Sequence, residues 1–189
     1  MTIEFDVNYY FVKKEFPFKE LFSSNDVTLF LKEKERFLTG DSVFVDPSTH
    51  VKEGVVIEGP VWIGKNCVIG PHAYIRKGTI IGDNCEIGRA EIKNSILLDG
   101  VKAHHHCYIG DSIIGNHVNV GAGVILSNFK FEGAEIKVDG KSLGRKFGAV
   151  IGDNVNIGCN AVLAPGTFVG ANVWIYPSAL LGALFLITQ

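Results

Sequence analysis

The sequence has no long apolar run and little net charge, and these two absences exclude several classes of protein. No stretch reaches the roughly 18 consecutive apolar residues that a membrane-spanning helix requires. A formal net charge of −2 and a pI near 6.3 provide no general attraction for nucleic acid or acidic lipid. The opening residues mix acids with aromatics and do not predict a signal peptide. We therefore expect a cytoplasmic protein with no nucleic-acid partner and no membrane partner.

Cysteine is also scarce, with four in 189 residues and no Cys-x-x-Cys pair that would predict a zinc site. Cys67, Cys85 and Cys107 occupy positions where neighbouring repeats carry Thr, Ala or Val. The interval from Cys67 to Cys85 is one full coil of the repeat described next. We interpret the three thiols as small buried hydrophobic side chains that stack between coils. A disulfide or a metal site is the alternative.

What the sequence does contain is a branched apolar residue at every sixth position from Val45 to Ile87, without a miss. A strand has a period of two and a helix a period of 3.6, so a period of six predicts neither by itself. It is typical of the hexapeptide parallel β-helix, in which three flat faces form one triangular coil. The rhythm returns after breaks near 88–97 and 127–150. We predict an all-β fold of about six coils, with function where the repeat is broken.

The hexad pattern divides the chain into three predicted parts. Residues 1–42 lie outside the pattern, and one helical face within them predicts a short helical cap over the open edge of the first coil; its members are Val27, Phe30, Leu31, Lys34 and Leu38. Residues 43–177 form the β-helix, with residues 128–148 as one projecting arm or, alternatively, a solvated surface insertion. Residues 178–189 are an apolar tail that we expect to pack on the last coil or on a neighbouring subunit.

Three consecutive histidines, His104 to His106, fall on the outward side of a predicted coil. An imidazole with a pKa near 6.5 can accept a proton from an attacking amine or hydroxyl at neutral pH. A histidine cluster alone is also compatible with simple surface decoration. His105 is at position three of its hexad, while Tyr108 and Asn119 are at position six of theirs. We therefore expect these three side chains to face outward, where they can reach a groove.

The motifs around these histidines resemble the acetyltransferase half of the bifunctional N-acetylglucosamine-1-phosphate uridyltransferase/glucosamine-1-phosphate acetyltransferase. Lys102 to Asp111 matches its K-x-x-H-x-x-Y-[IL]-G-D motif, and Gly115 to Gly123 resembles its N-[VI]-N-[IV]-G-A-G motif. Upstream, Gly70 to Arg76 matches G-P-x-A-x-[LI]-R, and Glu91 to Lys93 matches E-x-K. Downstream, the family's single Asn and its K-F pair are matched by Asn128 and by Lys146-Phe147. The resemblance covers about residues 60–175.

This resemblance implies a left-handed β-helix and a homotrimer with active sites between subunits. It implies His105 as the general base that deprotonates the sugar amine. It assigns the sugar-phosphate pocket to Arg76, Lys93, Tyr108, Asn119 and Lys146, and the acetyl-CoA groove to Ala122, Asn128 and Cys159. Arginine, lysine and tyrosine donors suit a phosphate because they form charge-assisted hydrogen bonds. The backbone N–H groups of Gly121 to Gly123 are candidate oxyanion donors.

The chain also departs from the family pattern. Residues 1–40 are too short for the uridyltransferase half and hold no Gly-rich nucleotide loop, so we expect no pyrophosphorylase activity. On the donor side, Cys159 replaces a Ser, Pro177 replaces a small residue, and the apolar residues 179–187 replace a basic tail. The sugar pocket therefore matches the family better than the acetyl-CoA groove does.

The leading prediction is an N-acetyltransferase that moves an acetyl group from acetyl-CoA to the amine of an amino-sugar phosphate such as glucosamine-1-phosphate. Its place would be sugar-nucleotide and cell-envelope precursor metabolism, with acetyl-CoA as a substrate and no metal. One alternative is a non-catalytic solenoid that binds a sugar phosphate or sugar nucleotide, and another is an acyltransferase with a different donor. A γ-class carbonic anhydrase has the same fold, but the His-x4-His spacing of its ligands is missing from the six histidines.

Overall fold

The computed structural model describes residues 6–11, 20–21, 25–138, 140–182 and 185–186. The helices are α1 (Val7–Tyr10) and α2 (Val27–Glu33), and a 3-10 turn, Lys34–Arg36, continues α2. The strands, in chain order, are β1 (Val43–Val45), β2 (His50–Val51), β3 (Val56–Ile57), β4 (Val61–Ile63), β5 (Val68–Ile69), β6 (Tyr74–Ile75), β7 (Thr79–Ile81), β8 (Glu86–Lys93), β9 (Ile96–Leu97), β10 (Lys102–Gly110), β11 (Ile113–Ile114), β12 (Asn119–Val120), β13 (Ile125–Leu126), β14 (Lys137–Val138), β15 (Lys141–Ser142), β16 (Ala149–Ile151), β17 (Asn156–Ile157), β18 (Val162–Leu163), β19 (Thr167–Val169), β20 (Trp174–Ile175), β21 (Leu180–Leu181) and β22 (Phe185–Leu186).

The strands stack in parallel to form the three faces of a prism. The first face is a sheet in the order β1-β4-β7-β9-β11-β16-β19-β22, and the second face has the order β2-β5-β8-β10-β12-β17-β20. The third face contains β3, β6, β13, β18 and β21, together with the later halves of the long strands β8 and β10. This arrangement confirms the predicted left-handed β-helix of hexapeptide repeats.

The β-helix has about eight turns, more than the six coils that the hexad count predicted. Part of the difference lies beyond residue 177, where β21 and β22 extend the third and first faces. The coils are also of unequal length. On the first face, Ile63 pairs with Ile81, Ile81 with Leu97, and Leu97 with Ile114. The first of these intervals is a full coil of three hexads, whereas the next two are shorter. The period of six therefore changes phase at the shortened coils, while the parallel pairing of the strands continues through them.

The interior of the prism is filled by ladders of branched apolar side chains, one ladder for each face. Each buried isoleucine or valine contributes roughly 1.5–3 kcal/mol to stability. Cys67, Cys85 and Cys107 lie buried in the same core as free thiols. The Sγ of Cys67 lies 3.4 Å from the backbone nitrogen of Cys85 one coil later. The interpretation of these cysteines as small stacked core residues is therefore confirmed.

The described residues of the N-terminal segment lie along the outside of the first face. Phe11, Phe30 and other apolar side chains of this segment are buried against outward-facing residues of the first face, namely Ile80, Ile96, Leu98, Ile113, Val150 and Phe168. Because this face is apolar on both sides, its outer surface needs a cover. At the open edge, Val43 and Phe44 remain 45% and 46% exposed, so the described part of the segment does not form the expected cap there, and the other residues of the segment lie outside the described ranges.

The arm and the C-terminal residues also pack more closely than the sequence predicted. Strands β14 and β15 form an antiparallel hairpin within 128–148. Ile136 of this hairpin is fully buried in the cluster that contains Phe30 and Phe147, so the arm folds back against the N-terminal segment. Strands β21 and β22 pair in parallel with β18 and β19 and thus continue the β-helix beyond residue 177. Residues 183–184 and 187–189 of the predicted tail lie outside the described residues.

Candidate functional site

The loops that join the third face to the first face form what we call the third corner. It contains Arg76 and Lys77, Lys93 and Asn94, Gly110 and Asp111, and the two ends of the arm. The N–H of Phe147 donates to the carbonyl oxygen of Asn128 at 3.1 Å, and the N–H of Gly148 donates to the backbone carbonyl oxygen of Asp111 at 2.8 Å. The backbone therefore closes the arm at its base and brings Lys146 to the same corner as Asn128.

A buried carboxylate, Asp111, organises this corner. Its side chain is only 4% exposed. Nδ2 of Asn94 donates to its Oδ1 at 2.5 Å, and Nδ2 of Asn128 donates to its Oδ2. Nζ of Lys93 lies 3.7 Å from the same Oδ2. Asp111 was not among the predicted site residues, although it ends the matched G-D motif. In the structure it lies beside two of them, Lys93 and Asn128.

Tyr108 adds a hydroxyl donor to the third corner. It pairs across the third face with Glu91 in one neighbouring coil and with Ile125 in the other. A Cβ on Gly110 would lie 2.6 Å from Oη of Tyr108 and 2.7 Å from Nδ2 of Asn128, so glycine at this position lets the two side chains meet. Burial raises the pKa of Tyr108, and the negative charges of Asp111 and Glu91 raise it further. The phenol therefore stays protonated at neutral pH.

Arg76 lies one coil before Lys93 and has one donor in use. Its Nη1 lies 2.8 Å from Oε1 of Glu91, and the guanidinium Cζ lies 5.5 Å from the centroid of the Tyr74 ring. The hydrogen bond to Glu91 raises the pKa of Arg76. Its Nε is buried and has no hydrogen-bond partner in the part of the chain that the structure describes. A buried unsatisfied donor is costly, and an anionic ligand would satisfy it.

An open cleft of about 510 Å³ adjoins Asp111, and we call it the lysine cleft. Four lysines and two carboxylates are among its lining residues: Lys34, Lys77, Lys93, Lys146, Glu35 and Asp111. Lys34 comes from the N-terminal segment and Lys146 from the arm, so both irregular segments border the site. Positive charge is thus concentrated in one cleft of a chain whose net charge is −2, and such focusing attracts anions.

The histidine triplet lies at the second corner, where strand β10 bends from the second face to the third. His105 is exposed, and His106 takes a left-handed backbone conformation with φ of 51°. The N–H of Gly123 donates to the carbonyl of His105 at 2.9 Å, and that of Asn160 donates to Ala122 at 2.7 Å. His105, Ala122 and Cys159 therefore occupy successive coils at this corner. A cavity of about 330 Å³ here is lined by the three histidines, Lys52 and Arg89, among others.

Within the triplet, His104 rather than His105 faces a carboxylate. Nε2 of His104 lies 3.4 Å from Oε2 of Glu86, and the other oxygen of Glu86 lies 2.9 Å from Nζ of Lys102. The hydrogen bond from Lys102 lowers the pKa of Glu86. The ring centroids of His104 and His105 are 5.6 Å apart. Glu86 was not among the predicted site residues, and its signal in the sequence is its position one coil before Lys102.

The expected oxyanion donors are largely committed to coil stacking. The N–H of Gly121 donates to Ile157 at 2.8 Å, and the N–H of Gly123 donates to His105 at 2.9 Å. These two groups hold neighbouring coils together through ordinary ladder hydrogen bonds. The expectation that they stabilise an oxyanion was therefore wrong for Gly121 and Gly123.

In a single chain, the predicted site residues separate into three places. Arg76, Lys93, Tyr108, Lys146 and Asn128 meet at the third corner, so Asn128 lies with the predicted sugar-phosphate residues rather than with the predicted acetyl-CoA groove. The second corner holds His105, Ala122 and Cys159. Asn119 is exposed on the second face, paired with Lys102 and Asn156, and lines a cavity of about 220 Å³ beside Trp174. The third face lies between the two corners.

Comparisons with known proteins agree with this architecture. Residues 70–147 match the family model described as the GMPPB C-terminal domain, and residues 148–176 match the model described as the hexapeptide repeat of succinyl-transferase. The bifunctional protein GlmU of Buchnera aphidicola is 45% identical over 87 residues, which are 46% of this chain and 19% of that protein. A bifunctional sugar-1-phosphate nucleotidylyltransferase/acetyltransferase of Sulfurisphaera tokodaii is 41% identical over 113 residues, which are 57% of this chain and 28% of that protein.

A solved structure of a Bacillus cereus protein assigned as an acetyltransferase superposes with a TM-score of 0.52 at 22% identity. That match covers 74% of this chain and 72% of the other, and at this identity it supports the fold alone. The sequence matches confirm the resemblance to the acetyltransferase half of the bifunctional enzyme and to hexapeptide-repeat proteins. The chain spans less than a third of the length of the curated relatives above.

Two further properties concern the described residues only. None of their helices is long and apolar enough to cross a membrane. No three or more His, Cys, Asp or Glu side chains among them are grouped so as to hold a metal ion.

Proposed function

We propose that the protein transfers an acetyl group from acetyl-CoA to the amine of an amino-sugar phosphate such as glucosamine-1-phosphate. The observation that carries this proposal is the third corner. Arg76, Lys93 and Lys146 supply positive charge there, Tyr108 supplies a neutral hydroxyl donor, and the buried Nε of Arg76 is unpartnered within the described residues. A phosphate monoester carries up to two negative charges and accepts several charge-assisted hydrogen bonds.

His105 is the proposed general base. The neutral amine attacks the thioester carbonyl, so a C–N bond forms and the C–S bond to CoA breaks. His105 takes the proton that the amine loses and returns it to the departing thiolate, which leaves as CoA. An exposed imidazole is a common general base in enzymes and can perform this transfer.

The separation of the two corners supports a homotrimeric active site. Within one chain, His105 lies at the second corner, while Arg76, Lys93 and Lys146 lie at the third. If the second corner of one subunit packs beside the third corner of its neighbour, the base and the phosphate-binding residues share one cleft. We therefore place each acceptor site between two subunits of a trimer in the cytoplasm.

A second candidate is a solenoid that binds a sugar phosphate without acetyl transfer, or one that uses a different acyl donor. It is favoured by the second corner, where Gly121 and Gly123 donate their N–H groups to neighbouring coils. It is also favoured by Cys159 and Pro177, which stand where the family has a Ser and a small residue. Binding of CoA distinguishes these candidates.

The decisive experiment measures CoA release from acetyl-CoA with glucosamine-1-phosphate, for wild type, His105→Ala and a control, His50→Ala. His50 is an exposed histidine of β2 and lies outside both corners. We expect His105→Ala to lower kcat by at least about 100-fold, the usual scale of general-base catalysis, and His50→Ala to match wild type. Full activity in His105→Ala would assign the base elsewhere. No turnover together with no CoA binding would rule out acetyl transfer.

A further inference from the structure

The ammonium group of Lys34 is buried where the N-terminal segment meets the third corner. The Lys34 side chain is fully buried, although lysine is rarely buried without a partner. Its Nζ donates to Oδ1 of Asn94, and Nδ2 of Asn94 donates to Oδ1 of Asp111 at 2.5 Å. The other carboxylate oxygen of Asp111 faces Lys93 and Asn128. A continuous polar chain thus links the N-terminal segment to two predicted site residues.

Packing alone does not account for a charged side chain at this position. Lys34 lies between Phe30 of α2 and Leu38, which follows the 3-10 turn, and both of these side chains are buried. An apolar side chain at residue 34 would extend that buried face without desolvating a charge. Burial lowers the pKa of Lys34 to about 8, against the opposing effect of the Asp111 charge. The positive charge of Lys93 contributes to this lowering, so the two ammonium groups repel each other beside the lysine cleft. A bound anion would relieve that repulsion.

We propose that Lys34 is a positioning residue of the acceptor site: through Asn94 and Asp111 it holds Lys93 where its ammonium meets the acceptor's phosphate. The identity of the ligand rests on the proposed function, whereas the hydrogen bonds from Lys34 to Asn94 and from Asn94 to Asp111 are observed directly. The other charged groups that line the cleft are Glu35, Lys77 and Lys146. The N-terminal segment is therefore part of the acceptor site as well as a cover for the first face.

The test measures the Kd of glucosamine-1-phosphate and of inorganic phosphate by calorimetry on the full chain. Lys34→Met removes the charge but keeps an apolar stem, and Asn94→Gly removes the linking amide at a residue with φ of 50°, which glycine accommodates. We expect each change to weaken binding of both probes by roughly tenfold or more, since each leaves the next group in the chain unpartnered. The double variant should bind both probes no more weakly than the weaker-binding single variant does, because both substitutions act through the same series of hydrogen bonds.

The controls separate positioning from damage to the fold. Lys65→Met, at an exposed lysine outside the cleft, should bind both probes as wild type does. In steady-state assays, Lys34→Met should raise KM for the acceptor and leave KM for acetyl-CoA unchanged. If Lys34→Met fails to fold, Asn94→Gly carries the test.

Three results would overturn the inference: wild-type affinity in both single variants, effects that multiply in the double variant, or no phosphate binding by wild type. Failure of the proposed function looks different. In that case wild type releases no CoA, yet phosphate binding still falls in the two variants.

Discussion

Lys93 and Asp111 face each other at the third corner without a close hydrogen bond. Nζ of Lys93 lies 3.7 Å from Oδ2 of Asp111, and the two side chains are 16% and 4% exposed. Hydrogen bonds between such groups are shorter, at about 2.7–3.2 Å. Asp111 therefore attracts the ammonium by charge, and within the described part of the chain the ammonium's donors stay available to a ligand. The same carboxylate is held by Asn94 and Asn128, so the position of Lys93 depends on residues from three coils.

Tyr108→Phe should weaken acceptor binding without affecting the donor. The phenol is half-buried, and burial with the Asp111 and Glu91 charges raises its pKa, so it is a donor throughout the neutral range. Loss of a hydrogen bond to a charged group costs roughly 1.5–3 kcal/mol, which is about a 10- to 150-fold change. We expect KM for the acceptor to rise and KM for acetyl-CoA to stay constant. Tyr176→Phe, at a residue that is 82% exposed, is the matched control, and equal effects of both changes would refute the assignment.

The pH dependence of stability should report the buried charge of Lys34. Its pKa falls from 10.5 to about 8 on folding, so the unfolded chain binds more protons between these values and the free energy of unfolding rises with pH. The gain is present above pH 10.5 and is lost as the pH falls through 8. Relative to Lys34→Met, wild type should gain on the order of 3 kcal/mol across this window. Urea denaturation at pH 7, 8, 9 and 10 measures it, and a constant difference between the two proteins would contradict it.

Ile92→Ala should strongly destabilise the β-helix. Ile92 is fully buried in the apolar ladder of the third face, and removing three carbons there leaves a cavity that costs about 2–5 kcal/mol. Ile125 lies on the outer surface of the same face and is 42% exposed. Ile125→Ala should cost less than about 1 kcal/mol, measured by the same urea titration. Similar losses of stability in both variants would contradict the placement of Ile92 on the inner surface and Ile125 on the outer surface of the third face.

Alkylation should distinguish Cys159 from the other thiols and test the predicted acetyl-CoA groove. Cys159 is exposed, whereas Cys67, Cys85 and Cys107 are buried, and burial raises the pKa of Cys85 and Cys107. Because the thiolate reacts with iodoacetamide, we expect one fast-reacting cysteine in native protein.

That fast reaction should disappear in Cys159→Ser. Saturating acetyl-CoA should slow it in wild type, as peptide mass spectrometry would show. Unchanged labelling in the presence of acetyl-CoA would place the donor away from Cys159.

Much of the fold could be predicted because its core is periodic. Val45, Ile63 and Ile81 recur at multiples of six since each coil must present one branched apolar side chain to each inner face, and the stacked cysteines follow the same rule. The position of the N-terminal segment could not be predicted in this way. The outward residues Ile80, Ile113 and Phe168 that it covers belong to three coils, and no local pattern indicates which part of the chain packs on them.

The sequence by itself determined the triangular coil, its buried ladders and the resemblance to the acetyltransferase half of the bifunctional enzyme, because a period of six and dense local motifs are properties of neighbouring residues. Only the tertiary structure decided which site residues meet. Asn128 joins Lys93 through Asp111, and Lys34 reaches Asn94 from the N-terminal segment, because coils of unequal length and the folded-back arm set the alignment of the corner. His105 lies apart from that corner in a single chain, since the part of β10 on the third face separates the second corner from the third corner.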